Sequence, residues 1–249
     1  MPSTVEVDFS RTARTYSGRI PYFQEFFDKV AVATGLDRES FVLDLACGRG
    51  EIATGLARHC GEVLGIDKSA EMLTSGRVPA NVRLLRADLN SDAIDIPRPA
   101  SLVTIGRAVP YLDPKIVIPF LDSATREDGA VLVCAAAIWK DVAWLEAYLA
   151  LCRRYRRRQA AQGFAGRAFF RNSRWKLTRI ISTRATIHWR PERLYRNALS
   201  HENLVQGILA DQERFVQELK KILAPHKDEH GNISFQAMSW GVEYRRHAD

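Results

Sequence analysis

The residues best suited to chemistry sit in one stretch, Val42-Leu43-Asp44-Leu45-Ala46-Cys47-Gly48-Arg49-Gly50-Glu51-Ile52-Ala53, an apolar strand running into a glycine turn and then a helix. Glycines there let the backbone press against a ligand where a Cβ would collide. About 20 residues on, Gly65-Ile66-Asp67 ends the next apolar run with a carboxylate placed to accept hydrogen bonds from ribose hydroxyls. Together they read as a nucleoside site. Gly48-Arg49-Gly50-Glu51-Ile52-Ala53 also satisfies the looser G-x-G-x-x-A dinucleotide pattern, so a nicotinamide dinucleotide has to be weighed. Asp44 separates the cases: an acid just ahead of the turn repels a pyrophosphate and favours a ligand that carries positive charge.

Holding these groups requires a parallel sheet. From Phe41 onward short apolar runs alternate with amphipathic segments, as in βαβ units, giving predicted strands over 41–46, 62–66, 82–87, 101–106 and 129–136. Ser69 is placed to cap a helix running to about Gly76, and Asp113 followed by Pro114 starts another. Ahead of the sheet, 12–33 carries Tyr16, Tyr22, Phe23, Phe26 and Phe27 and reads as a helical lid. Beyond Trp139 the pattern predicts an amphipathic helix over 141–158 and a long strand over 177–189. Two helical pieces follow over 191–198 and 201–223, then a last strand over 233–244 whose apolar parity switches near Ala237, the sign of a bulge. The expected fold is α/β: a Rossmann-like, doubly wound, seven-stranded, mostly parallel sheet with an N-terminal helical lid and an inserted helical substrate cap. The expected division is lid 1–40, nucleoside-binding core 41–138, and cap plus last two strands 139–249.

Composition narrows the class. With 249 residues, 46% hydrophobic and 26% charged, the chain supports one large core and excludes disorder and fibrous structure. The net charge of +7 favours acidic partners without choosing among them. Cys47, Cys60, Cys134 and Cys152 have neither C-x-x-C spacing nor a His-rich neighbourhood, against a zinc site or a disulfide framework and in keeping with a reducing compartment. Residues 1–8 lack a basic segment followed by an apolar one, and the longest apolar run, 130–139, is too short to span a bilayer, so the expected location is cytoplasmic.

Asp44-Leu45-Ala46-Cys47-Gly48-Arg49-Gly50 resembles motif I of class I S-adenosylmethionine-dependent methyltransferases, D/E-x-G-x-G-x-G. Gly65-Ile66-Asp67-Lys68-Ser69-Ala70-Glu71-Met72-Leu73 resembles the second motif, Ala87-Asp88-Leu89 the third and Thr104-Ile105-Gly106-Arg107-Ala108 the fourth. The likeness covers about residues 12–133 and looks nearest to small-molecule enzymes related to ubiquinone-biosynthesis and trans-aconitate methyltransferases. It implies S-adenosylmethionine as cofactor, with Ala46, Gly48 and Gly50 beside Asp44 along its methionine half and Asp67 on the ribose. It also implies Lys68 and Met72 flanking adenine, Asp88 and Leu89 at its edge, Gly106 and Arg107 near the sulfonium, and Tyr16 and Arg19 closing over it from the N-terminal region. Ala46 stands where the motif has its first glycine.

Transfer from a sulfonium is an in-line displacement in which positioning can supply about 7–11 kcal/mol at the upper end, so a base is not always needed. An alcohol acceptor usually does need one, most plausibly a His. Where relatives carry an aromatic-His-Trp run this chain has Val109-Pro110-Tyr111, leaving His188, His201 and Tyr111 as candidate catalytic groups. A lone His is more often structural, and Tyr16, Tyr22 and Tyr111 fit lid packing as well as pocket lining. Cys47 reads as a small filler of the turn. The expected acceptor is a small polar metabolite taken at oxygen or nitrogen, with a sugar or other alcohol hydroxyl preferred because Trp139, Trp144, Trp175 and Trp189 offer ring contacts. The Arg-rich segment 153–179 raises RNA modification as an alternative, and a catalytically silent nucleotide-binding protein is another. The missing Asn/Asp-Pro-Pro-Tyr box counts against methylation of base amines, and a solvated face or acidic-substrate mouth is the preferred reading of the arginines.

Overall fold

The computed structural model describes residues 13–75, 77–139, 142–157 and 166–247. Residues 1–8, Thr12, Gly76, Asp141 and Arg158, which entered the sequence reading, lie outside them.

Helix α1 (Gln24–Thr34) precedes strand β1 (Phe41–Leu45), whose five residues are all buried. A parallel strand covered on both faces reads as a nearly continuous apolar run, broken in β1 by Asp44 alone, which is why β1 was legible. Helix α2 (Glu51–Leu56), β2 (Glu62–Asp67), α3 (Ala70–Thr74), β3 (Val82–Arg86), β4 (Ala100–Gly106), α4 (Pro114–Ala124) and β5 (Thr125–Ile138) follow. Then come α5 (Leu145–Tyr155), α6 (Gly166–Phe169), β6 (Trp175–Trp189), α7 (Pro191–Leu199), α8 (Glu202–Ala210), α9 (Gln212–Leu223) and β7 (Ile233–Arg246). Both expected caps form: Ser69 Oγ accepts from the Met72 amide at 3.3 Å, and Asp113 Oδ1 from the Lys115 amide at 2.9 Å.

The seven strands form one sheet in the order β3-β2-β1-β4-β5-β7-β6, parallel from β3 through β5 and antiparallel from β5 to β7 and from β7 to β6. The order reverses between β1 and β4, and sheets of this kind hold ligands outside the carboxyl ends of the strands at such a switch.

Three apolar clusters form among the described residues. Leu43, Val103 and Ile105 pack under Val117 and Leu121 of α4 on one face. Val42, Leu102 and Leu132 pack under Phe26 and Phe27 of α1 and Leu56 of α2 on the other. The third joins α5, α7, α8 and α9 to Ile187, Trp189, Ile233, Phe235 and Ala237, the ends of β6 and β7 that extend beyond the parallel strands. These extensions give the inserted helices a base.

Three expectations change. The segment 201–223 is two helices, broken at Asp211 (φ −146°, ψ 55°), so that Leu204, Val205 and Ile208 bury from one and Phe215, Leu219 and Leu223 from the other. No register shift occurs at Ala237; the irregularity lies in β6 between Leu177 and Arg179. The parity change in β7 has another cause: Gly241 to Tyr244 are all buried because that half of the strand is covered on both faces. The indoles of Trp144, Trp175 and Trp189 are core, 3%, 1% and 6% exposed, and Arg184 covers Trp139 at 3.7 Å, so these rings are not open stacking platforms.

Candidate functional site

β1 ends in Leu45 and the chain turns back through two left-handed residues, Ala46 (φ 51°) and Gly48 (φ 57°), with a third, Gly50 (φ 76°), leading into α2. The geometry explains why glycine suits the position of Ala46: a Cβ there strains the backbone by about 1–2 kcal/mol. At Gly48 a Cβ would meet nothing within 4 Å, so the turn borders a cradle that a side chain would fill.

Asp44 lies beneath this turn, 1% exposed. Its Oδ1 accepts from Thr104 Oγ1 of the neighbouring strand at 2.7 Å and its Oδ2 from the Ala53 amide at 3.2 Å. Burial pushes its pKa up to about 7 against those two hydrogen bonds, with Asp67 and Glu51 adding to the rise. A buried carboxylate held near half-ionisation is stabilised by any cation brought to the turn. Asp67, at the end of β2, accepts from the Gly48 amide at 2.7 Å and the Ser69 amide at 2.9 Å, fixing the glycine turn against the second strand; burial raises its pKa. Burial, with Asp44 and Asp67 beside it, pushes the Cys47 thiol up, which leaves it a protonated filler.

Along the rim, Lys68 is exposed with Nζ 3.9 Å from Asp88. Asp88 orders the following turn, accepting from the Asn90 amide at 3.0 Å. Met72 and Leu89 are buried and offer apolar wall. Asn90 Nδ2 donates to the Tyr111 carbonyl at 3.0 Å, tying the third motif to the turn Val109–Tyr111, where the Tyr111 side chain is 39% exposed.

The carboxyl end of β4 supplies the other half. A Cβ on Gly106 would fall 2.4 Å from Ile52 Cδ1 and 3.3 Å from the Tyr22 hydroxyl, so only glycine lets α2 and the N-terminal segment close on it. Arg107 follows in a left-handed conformation (φ 59°) and turns its guanidinium inward. It donates to the Ile20 carbonyl, stands 4.5 Å from the Tyr22 ring centre and places Nη1 3.6 Å from Glu51. Burial opposes its charge, but Tyr22, Tyr16 and Glu51 outweigh that and hold its pKa above the usual value. Arg19 lies 5.5 Å from the Tyr16 ring centre, and burial lowers its pKa. Its Nη1 reaches His201 Nδ1 at 3.1 Å.

His201, the residue before α8, is held near this corner because the N-terminal segment is bonded to α7. Thr15 Oγ1 donates to the Leu199 carbonyl at 3.0 Å and Asn197 Nδ2 to the Gly18 carbonyl at 3.0 Å. Sequence order therefore concealed a cluster of Tyr16, Arg19, Tyr22, Glu51, Arg107 and His201. The structure does not bring His188 into it. That side chain is on the exposed face of β6, the edge strand, bonded to Ser234 Oγ at 2.7 Å, and lines a surface cavity of about 520 Å³ with Arg190, Arg193 and Arg196. Thr104, Glu51 and Ile52 stood inside the quoted motifs but were given no role from sequence. Of these only Thr104 left a signal, a hydroxyl amid apolar residues in the fourth strand.

Among the described residues no group of three His, Cys, Asp or Glu could hold a metal ion, and no helix is long and apolar enough to cross a membrane. The described arginines of the 153–179 segment are exposed, with Arg154 paired to Glu218.

Comparisons with known proteins agree with this geometry. Residues 42–126, from β1 into β5, match a methyltransferase-domain family. A protein assigned as a type II methyltransferase from Anaeromyxobacter dehalogenans is similar in structure with a TM-score of 0.74 at 13% identity, over 92% of this chain and 97% of that one. A methyltransferase from Thiobacillus denitrificans solved with S-adenosylhomocysteine gives 0.52 at 17% identity, over 92% and 94%. In sequence, an uncharacterized RNA methyltransferase of Chlorobaculum tepidum is 34% identical over 74 residues, 27% of this chain; the match spans 15% of that relative's length. With strand order, glycine turn and both carboxylates in place, residues 42–126 match a methyltransferase domain and the fold around them is similar to that of solved methyltransferases.

Proposed function

We propose that the protein transfers a methyl group from S-adenosylmethionine to oxygen or nitrogen of a small polar molecule. The observation that carries this reading is Asp44, buried beneath a cradle at the switch between β1 and β4, with Asp67 one strand away. A cationic nucleoside fits that arrangement; a diphosphate does not. The similar Thiobacillus denitrificans structure, solved in complex with S-adenosylhomocysteine, supports it.

In this reading Ala46, Gly48 and Gly50 border the methionine half and Asp44 favours its ammonium. Asp67 accepts from the ribose, Lys68 and Met72 flank the adenine, and Asp88 with Leu89 closes its edge. Gly106 gives clearance at the end of β4, and Tyr16, Arg19 and Arg107 enclose the methionine end. The cofactor supplies the activated methyl group and the leaving group. The chain's own residues bind, orient and exclude water, and alignment of this kind can contribute about 7–11 kcal/mol at the upper end. The segments α5 and α7 to α9 cover the acceptor side.

One observation favours a second reading, RNA as acceptor: the partial identity to the Chlorobaculum tepidum protein. Methyl-labelled cofactor incubated separately with a metabolite extract and with bulk RNA distinguishes them. Label in small molecules is expected; label confined to RNA overturns the small-molecule reading. Binding of NADH without any binding of S-adenosylhomocysteine overturns both.

A further inference from the structure

Independently of the methyl-transfer reading, we propose that the surface cavity at the start of α7 is a second ligand site, which takes a phosphomonoester with a hydroxyl-bearing body, a sugar phosphate.

The cavity, of about 520 Å³, lies between the end of β6, the first half of α7 and Asn232 in the turn before β7. Arg190, Arg193 and Arg196 recur every third residue, which puts them on one side of the helix. Among the described residues none of the three pairs with a carboxylate, whereas Arg154, Arg179 and Arg245 elsewhere in the chain do. Glu192 also lines the cavity and stands four residues before Arg196, the spacing of helical ion pairs, yet the two do not pair. Arg193 is held by stacking: its guanidinium is 4.9 Å from the Trp189 ring centre, and that buried indole packs edge-on against Phe235 at 5.4 Å. A guanidinium stacked this way keeps its N–H edge free to donate. Ser234 Oγ orients His188 at 2.7 Å, and Asp228 Oδ1 fixes Asn232 by accepting from its amide at 2.8 Å. The nine residues of α7 begin with Pro191 and have no side-chain cap, so the positive end of the helix dipole adds to the arginines.

The wall carries three guanidinium groups against the Glu192 carboxylate. The turn behind Asn232 adds Lys227, Asp228, Glu229 and His230. Asp228 is engaged by the His230 and Asn232 amides, Glu229 lies 3.5 Å from His230, and Lys227 offsets one of the two carboxylates. The region therefore keeps a positive excess that no described group neutralises, and a phosphomonoester brings about −1.5 to −2. Shape selects among anions. A planar carboxylate, with two oxygens, satisfies one guanidinium, whereas the three terminal oxygens of a phosphate accept from several directions at once. The space is that of a small molecule and not of a single ion. Glu192 and Asn232 supply acceptors for ligand hydroxyls. Trp189, 6% exposed and covered by Arg193, offers no ring face, so the body that fits is a polyol and not a stacked base.

Calorimetric titration of the full chain with ribose 5-phosphate, glucose 6-phosphate, ribose, inorganic phosphate and a single-stranded RNA lacking terminal phosphates tests this, with and without saturating S-adenosylhomocysteine. A sugar phosphate should bind in both conditions, ribose should not, and inorganic phosphate should bind about tenfold more weakly or less. Arg190→Gln combined with Arg196→Gln should weaken the sugar phosphate by about 30-fold or more. Arg153→Gln combined with Arg157→Gln removes as much charge from exposed positions outside the cavity and should change affinity by about twofold at most. Both pairs replace exposed side chains, and an unchanged Tm confirms that the fold is retained. Absence of sugar-phosphate binding overturns the proposal, as does inorganic phosphate binding equally well. Equal losses in the two double variants would mark general attraction of a basic chain for anions, and tighter binding of the RNA would make the surface a nucleic-acid contact. Displacement by S-adenosylhomocysteine would put the ligand in the cleft at β1 and β4. Each of these three results also overturns it.

Discussion

Replacing Gly48 by Val is expected to weaken S-adenosylhomocysteine binding by about 100-fold or more while leaving the protein folded. Nothing lies within 4 Å of the position a Cβ would take, so the new side chain meets no protein atom and, in the proposed reading, intrudes on the ligand. Its cost to the fold is the left-handed backbone at φ 57°, about 1–2 kcal/mol, or roughly 2–4 °C in Tm for a chain of this size. Gly231, at φ 77° and also open within 4 Å, lies in the turn before β7. Gly231→Val therefore imposes the same strain away from the cleft and should leave binding untouched. Calorimetry of the two variants separates strain from occupancy. Equal affinity in the Gly48 variant and wild type would place the ligand elsewhere.

Asp67→Ala should have the next largest effect, a loss of about 100-fold in S-adenosylhomocysteine affinity, the worth of one or two hydrogen bonds to a charged acceptor. The carboxylate does two jobs that substitution can divide. Toward the protein it accepts from the Gly48 and Ser69 amides at 2.7 and 2.9 Å, so its removal orphans two donors and costs about 1–3 kcal/mol of stability. Toward the ligand, in the proposed reading, it accepts from ribose. Asp67→Asn keeps one acceptor oxygen and is expected to lose only about tenfold. If both variants bind as wild type does while melting lower, the role of Asp67 is confined to the turn.

How much of this was legible in the sequence depended on whether a feature is local. β1 could be read because a strand buried on both faces is an apolar run, here broken by Asp44 alone, and the turn because Gly48 and Gly50 need left-handed backbone that glycine adopts at little cost. Asp44 and Asp67 could be placed because each lies at the carboxyl end of its own strand, next to last in β1 and last in β2. The partner of Asp44 could not: Thr104 is its neighbour only once β4 is known to lie beside β1, a fact of sheet order and register. The Arg19–His201 contact joins residues 182 apart and exists because Asn197 and Leu199 of α7 bind the N-terminal segment, which no periodicity announces. Long-range packing also accounts for the misread tryptophans. Trp189 looked available on an isolated amphipathic strand, but the cap helices bury it against the extended antiparallel pair of β6 and β7.

The central claim is that Asp44 makes the turn select a cationic nucleoside. In the ligand-free protein its pKa is about 7, and an ammonium placed above it favours the ionised form, so binding should release a proton. Calorimetric titration of S-adenosylhomocysteine from about pH 5.5 to 8, repeated in two buffers of different ionisation enthalpy, tests this directly. The expected result is affinity that rises by up to about tenfold per pH unit below about pH 7 and levels off above it, with proton release over the same range and neither effect in Asp44→Asn. Affinity independent of pH in the wild-type protein, or binding of NADH in place of S-adenosylhomocysteine, would contradict it.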